Sequence, residues 1–215
     1  MLTLYTYFRS SASFRVRIAL NLKGLPYESV PVHLVRDGGQ QLLPEFRALN
    51  PDALVPVLLD GGQTLHQSLA IIEYLDEIHP TPALLPKAAL DRAQVRALAL
   101  DVACEIHPLN NLRVLKYLKH ELKVPEEAKN GWYRHWIELG FASLEKRLNA
   151  SSHTGDFCFG DTPTMADCCL IPQIFNAQRF DVDLSPYPTI RRIHAHCMTL
   201  DAFSKAAPGA QPDAE

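Results

Sequence analysis

The chain has 215 residues with 47% hydrophobic and 21% charged positions, a mix that excludes a fully disordered or fibrous protein. Its 21 Lys+Arg against 24 Asp+Glu leave a formal charge of -3, so no strongly basic surface recommends nucleic acid or an anionic membrane as partner. Its longest apolar run, Ala53 to Leu59, is far short of a bilayer span and contains Pro56.

The opening MLTLYTYFRSS has no basic stretch ahead of an apolar core, so no secretory signal is expected. Leu2 to Tyr7 is aromatic-rich and reads as a strand, with Tyr5 and Tyr7 as sheet packing. Ser10, Ser11 and Ser13 then open a helix, in which Phe14, Ile18 and Leu22 recur at i, i+4 and i+8 and which Gly24 ends. Tyr27 to Val32 is the next strand, so a parallel pair with a crossover helix is predicted. A short helix over Leu42 to Leu49, a hairpin around Gly61-Gly62 and a helix opening at Gln67-Ser68 complete a small sheet flanked by helices. The proline-rich stretch HPTPALLPK reads as a linker. Beyond it strand signals all but vanish. Helical patterns run from Asp91 to Lys119, from Pro125, after Thr164-Met-Ala-Asp167 and over Tyr187 to Ala207, and the tail PGAQPDAE is expected to fray. The predicted division is an α/β domain over 1–80, a linker over 81–88 and an all-helical domain over 89–215.

The βαβ start invites a nucleotide reading, yet neither GxGxxG nor GxxxxGK[ST] is present. The first strand–helix turn has no cysteine, so disulfide exchange there is excluded. The five cysteines are odd in number and lack CxxC spacing, which predicts free thiols in a reducing cytoplasm. The nine histidines are scattered, so no metal site is expected. The serines beside Arg9 have two readings: simple helix caps, or an anion or thiolate site that uses the N–H groups and dipole of a helix start. Gln67-Ser68 poses the same choice. Val55-Pro56 is either an ordinary edge proline or a cis bond that presents the Val55 backbone to an extended ligand. His107-Pro-Leu-Asn-Asn111 reads as a proline kink, and Arg179 as a surface charge.

Taken together, YFRSSASFRVRIALNLKG, ALNPDALVPVL, HQSLAIIEYL, FGDTPTMADCCLIPQ, DLSPYPTI and the QPD near the end resemble the zeta class of glutathione transferases. The resemblance covers nearly the whole chain. It implies a thioredoxin-like domain followed by a helical domain, a homodimer, and glutathione as catalytic cofactor. The implied activity is the cis–trans isomerisation of maleylacetoacetate or maleylpyruvate in tyrosine or other aromatic catabolism. Conjugation or dehalogenation of small electrophiles is the alternative, and a non-catalytic interaction module a more remote one.

Residue by residue, the resemblance assigns Ser10 and Ser11 to the family serine pair, with Ser11 serving the glutathione sulfur. Ala12 stands where the family motif SSCS has cysteine, so side chemistry that needs that thiol is not expected. Ala12, Gln41, Val55, Gln67 and Ser68 match further glutathione contacts, as does His107, with Asn111 and Arg113 nearby. Arg9 and Arg179 match arginines that hold substrate carboxylates, and Arg9 adjoins the catalytic serines.

Overall fold

A computed structural model describes all residues 1–215, which form two compact units: Met1–Leu85 with Met198–Glu215, and Pro86–Cys197.

The first unit is built on a four-stranded sheet. Strand β1 spans Leu2–Thr6, helix α1 Ser11–Leu22, β2 Tyr27–Pro31, α2 Pro44–Leu49, β3 Val57–Asp60, β4 Gln63–His66 and α3 Ser68–Ile78. The strand order is β2-β1-β3-β4. β1 runs parallel to β2, with Leu4 opposite Ser29, and antiparallel to β3, with Leu4 opposite Leu58. This is the predicted βαβ-α-ββ-α order, and with the helical second unit it gives the thioredoxin-like plus all-helical architecture. Alternation along β1 buries Leu2, Leu4 and Thr6, as period-2 geometry requires. A cluster of Tyr7, Phe8, Val32, Phe46, Val55 and Val57, with Tyr5 packed on it, fills the space beside the end of β1.

Helix α1 is buried along most of its length, including Arg15 and Arg17. At its far end Lys23 Nζ donates to Asp76, to His79 O and to Pro82 O at 2.7–2.8 Å, tying α1 to the end of α3. Gly24 takes φ +63 after the last turn, a left-handed step that glycine makes without a Cβ clash.

The chain end departs from expectation. The sequence predicts one helix over Tyr187 to Ala207 within the helical domain. The helix instead stops at Cys197, and a separate helical turn at Asp201–Ser204 belongs to the first unit. The cause is local: Phe203 and Ala206 are fully buried, Asn21 Nδ2 donates to Ala202 O at 3.0 Å, and Arg17 Nε donates to Ala206 O at 3.0 Å. The tail is likewise held by hydrogen bonds through Gln211 and Asp213, where fraying was expected.

The second unit is helical throughout. Helix α4 spans Ala89–Leu100 and continues through a π-helical turn at Asp101–Ile106 and a 3₁₀ turn at His107–Asn110 into α5, Leu112–His120. Pro108 and the wide turn before it account for the break in the long pattern read from Asp91 to Lys119. Helices α6 (Glu126–Ala150), α7 (Met165–Arg179) and α8 (Pro188–Cys197) follow. Gly140 of α6 allows Ile106 to lie against it: a Cβ there would meet Ile106 Cδ1 at 2.3 Å. Helix α7 is buried on nearly all sides and starts in the predicted capping box. Asp167 Oδ2 accepts from Thr164 N and Oγ1, both at 2.8 Å. No helix is long and apolar enough to cross a membrane.

Candidate active site

The junction between β1 and α1 carries the densest set of candidate residues. Arg9 folds back on the preceding aromatics: Nε and Nη2 donate to Tyr7 Oη at 3.2 and 2.8 Å, and the guanidinium lies 4.9 Å from the Phe8 ring centre. The three serines have distinct places. Ser10 is the N-cap, its Oγ accepting from Ser13 N at 3.2 Å. Ser13 is wholly buried. Ser11 is the first helical residue and 5% exposed, so it brings a hydroxyl to the first turn of α1, where orphan N–H groups and the dipole favour an anion. Ala12 follows within the same turn.

A buried cation holds this junction from within. Arg17 Nη1 donates to Thr6 Oγ1 at 2.9 Å and Tyr7 O at 3.3 Å, and Nη2 to Phe8 O at 3.0 Å. Desolvation lowers its pKa to about 10, still far above neutrality, so the guanidinium stays charged.

A second helix start lies in the same unit. Gln67 precedes α3 with φ 70 and ψ 112, a backbone shape that L-residues rarely adopt and that clusters at ligand sites. No side chain caps α3, so its first N–H groups remain available to a carboxylate. Ser68 is the first residue of α3 and buried, its Oγ accepting from Arg15 Nη1 at 3.2 Å. Gln41 is buried too, and its Oε1 has no partner, while Nε2 reaches Leu34 O at 3.4 Å. A buried amide oxygen without a donor is costly and suits a site built to receive one from a ligand. Gly39 makes room for that amide: a Cβ there would lie 2.7 Å from it. Val55-Pro56 is cis. Val55 stands ahead of the ladder, whose first pairs are Tyr5 with Val57 and Val57 with His66, so its backbone lies outside the sheet pairing.

An uncapped helix start, an orphaned buried amide and an unpaired strand approach within one unit fit a peptide-like ligand with carboxylates, as glutathione is.

In the second unit, His107 opens the 3₁₀ turn. Asn111 caps α5, its Oδ1 accepting from Arg113 N at 3.1 Å, and the Arg113 side chain is exposed. Arg179 ends α7, exposed, with its guanidinium 4.9 Å over the Phe180 ring, which stacks on Tyr133 at 3.6 Å. Burial pushes the Tyr133 hydroxyl up to about 12, partly offset by Arg179, so it stays neutral and can donate.

All five cysteines are free. Burial pushes the Cys158, Cys168 and Cys197 thiols up, so they are packing residues rather than nucleophiles. Sequence reading overlooked Arg15, Arg17 and Asp213. The two arginines carried a signal, since both sit inside an apolar helical pattern.

A glutathione S-transferase N-terminal domain model matches residues 4–83, and a glutathione S-transferase C-terminal domain model matches residues 130–197. A probable maleylacetoacetate isomerase of Vibrio cholerae is 56% identical over 213 residues, covering 99% of this chain and 98% of its own. A solved holo structure of maleylpyruvate isomerase, a bacterial zeta-class glutathione S-transferase, is 53% identical with a TM-score of 0.96, over 99% of this chain and all of its own. Maleylacetoacetate isomerase from Methylobacterium extorquens AM1, solved with bound malonate and glutathione, is 43% identical with a TM-score of 0.95, over 99% of each chain. With more than half of its residues shared over nearly the full length of both chains, and both domain models matched in order, this chain belongs to the zeta class of the glutathione transferase family, among the maleylacetoacetate and maleylpyruvate isomerases.

Proposed function

We propose that the protein is a glutathione-dependent cis–trans isomerase acting on maleylacetoacetate or maleylpyruvate. The observation that carries this reading is the start of α1, where Arg9, the Ser10 cap and the Ser11 hydroxyl stand together on a helix dipole. Bound glutathione supplies a thiolate that adds to the conjugated cis double bond, allows rotation and leaves again.

The chain's own residues must keep that sulfur ionised and hold a doubly acidic substrate. An unperturbed thiol near pKa ~8.5 is only a few per cent ionised at pH 7. Lowering it by two units needs about 2.7 kcal/mol. A Ser11 hydroxyl bond to a charged acceptor contributes ~1.5–3 kcal/mol and the α1 terminus ~0.3–1, a combined range that brackets this requirement. Ser68 and the first N–H groups of α3, with Gln67, take the γ-glutamyl carboxylate. Gln41 and the Val55 backbone take the rest of the tripeptide, and His107, Asn111 and Arg113 complete the cofactor contacts. Arg9 and Arg179 hold substrate carboxylates, for which a planar guanidinium is suited. Support for carboxylate binding comes from a relative solved with malonate as well as glutathione.

The same reading makes the protein a cytoplasmic homodimer, supported by the free state of its five cysteines and by the family resemblance. The deciding assay follows both substrates by absorbance with catalytic glutathione and titrates the remaining thiol. Turnover without thiol loss supports the isomerase, and stoichiometric thiol loss supports a conjugating transferase instead.

A further inference from the structure

The C-terminal tail reaches back to the two loops on which the cofactor site is built. Gln211 anchors it, Nε2 donating to Lys205 O and Ala207 O at 2.9 and 3.0 Å, and Ala214 N returns to Gln211 O at 3.0 Å. From that turn Asp213 Oδ2 accepts the N–H of Phe8 at 3.0 Å. Phe8 is buried, and its carbonyl is held from the other side by Arg17 Nη2 at 3.0 Å. Both backbone polar groups of Phe8 are therefore fixed, one by the tail and one by α1. Arg9, Ser10 and Ser11 follow directly.

Two residues on, Glu215 Oε1 meets Arg36 Nη2 at 2.5 Å and His33 Nε2 at 3.3 Å. His33 Nδ1 accepts from Val35 N and Arg36 N, which closes the loop leading to Gln41. The His33 ring also meets Tyr7 edge-on, 5.0 Å between centroids. The last three residues thus touch both the β1–α1 junction and the loop after β2.

We propose that Asp213 is a positioning residue for the reaction: by accepting the Phe8 N–H it sets the path of the chain through Arg9 and Ser10 to Ser11. The claim rests on the proposed reaction at that junction. Without the carboxylate, a buried N–H must find water, which it does only if the junction swings outward. Arg9 and Ser11 then leave the geometry in which they meet substrate and sulfur. Asparagine at 213 keeps an oxygen acceptor that can take the same place, while it removes the charge and replaces the other oxygen with an NH2 donor.

The test uses the full chain with Asp213→Ala and Asp213→Asn. Without any ligand, deuterium exchange over Tyr7–Ser11 is expected to be about tenfold faster in the alanine variant and near the parent's in the asparagine variant. With glutathione bound, the alanine variant titrates its thiol at higher pH, read near 240 nm. Its kcat falls about tenfold, or about 1.4 kcal/mol, while the KM for glutathione moves less than about threefold. The asparagine variant recovers most of kcat. A folded alanine variant with the parent's exchange, thiol titration and kcat overturns the proposal, and so does equal loss in both variants. In the parent alone, a Phe8 amide that exchanges as fast as an unprotected one overturns it, whatever the variants' fold. A parent without turnover defeats the proposed function, while the exchange comparison still decides the role of Asp213.

Discussion

Arg15 of α1 donates to Ser68 Oγ across 3.2 Å, so a buried guanidinium stands at the first residue of α3. A cation and an uncapped helix start reinforce each other, since both favour a carboxylate at the same place. Ser68→Ala is expected to weaken glutathione binding about five- to thirtyfold, or about 1–2 kcal/mol, because a hydroxyl that holds Arg15, and that the proposed reading sets against the carboxylate, is lost. The rate at saturating glutathione is expected to stay within about twofold, since the proposed reading places the sulfur at α1 instead. Titration calorimetry reads the first quantity, and an unchanged dissociation constant removes Ser68 from the site.

Ser10 and Ser11 are neighbours to which the proposed reading gives separate duties. Ser10 Oγ is committed to the Ser13 N–H, so Ser10→Ala is expected to cost about 1 kcal/mol of stability and to leave the thiol titration nearly unmoved. Ser11→Ala is expected to raise the pKa of bound glutathione by about one to two units, or about 1.4–2.7 kcal/mol. The sign follows from the charged form: losing a donor to the thiolate favours the thiol, so the rate profile shifts to higher pH and turnover at pH 7 falls. Absorbance near 240 nm against pH distinguishes the two serines, and a reversed pattern assigns the sulfur to Ser10.

Asp167 is the structural counterpart in the second unit. It is fully buried, and its Oδ1 accepts from Cys158 N at 2.8 Å in addition to its two bonds with Thr164. Asp167→Ala removes the N3 arm of the α7 capping box and strands the buried N–H groups of Thr164 and Cys158, for an expected loss of about 3 kcal/mol or more. At about 2–4 °C per kcal/mol for a chain of this size, the thermal midpoint drops by about 6–12 °C. A midpoint within about 2 °C of the parent, followed by circular dichroism, contradicts this account.

The elements of the first unit were legible because period-2 and i, i+4 patterns are local: β1 alternates, and Phe14, Ile18 and Leu22 mark α1. The Thr164–Asp167 box was legible for the same reason, since capping chemistry is contained in four residues. The tail was not. Asp213 and Phe8 are 205 positions apart, and no local pattern announces a bond between the Asp213 side chain and a loop N–H. Arg17 was missed for a related reason. Inside an apolar helix it reads as an interruption, and its worth appears only when Thr6, Tyr7, Phe8 and Ala206 surround it. At the start of α1 the motif RSS marks a helix start, but only the fold separates Ser10, whose Oγ caps Ser13 N, from the buried Ser11 and Ser13.

Arg179 offers the sharpest test of substrate recognition. It ends α7 with its guanidinium over Phe180, which in turn stacks on the buried Tyr133. The flat group lies over the ring below it, and in the proposed reading its N–H edge takes a substrate carboxylate. A bland alternative exists: a cation at a helix C-terminus complements the dipole, worth ~0.3–1 kcal/mol of stability and nothing in catalysis. Lysine separates the two readings. It preserves the charge at the helix end, so stability is expected to hold. It lacks the planar fork and stacks poorly on Phe180, so it cannot supply the bidentate contact that the proposed reading gives Arg179. Arg179→Lys is therefore expected to lower kcat/KM for the acid substrate by one to two orders of magnitude, or about 1.4–2.7 kcal/mol, with an unchanged melting midpoint. Glutathione affinity is expected to move less than about twofold, because the proposed cofactor contacts do not include Arg179. If Arg179→Lys and Arg179→Ala both stay within about twofold of the parent in kcat/KM, the arginine only completes its helix, and exposed Arg113 at the start of α5 becomes the next cation to replace.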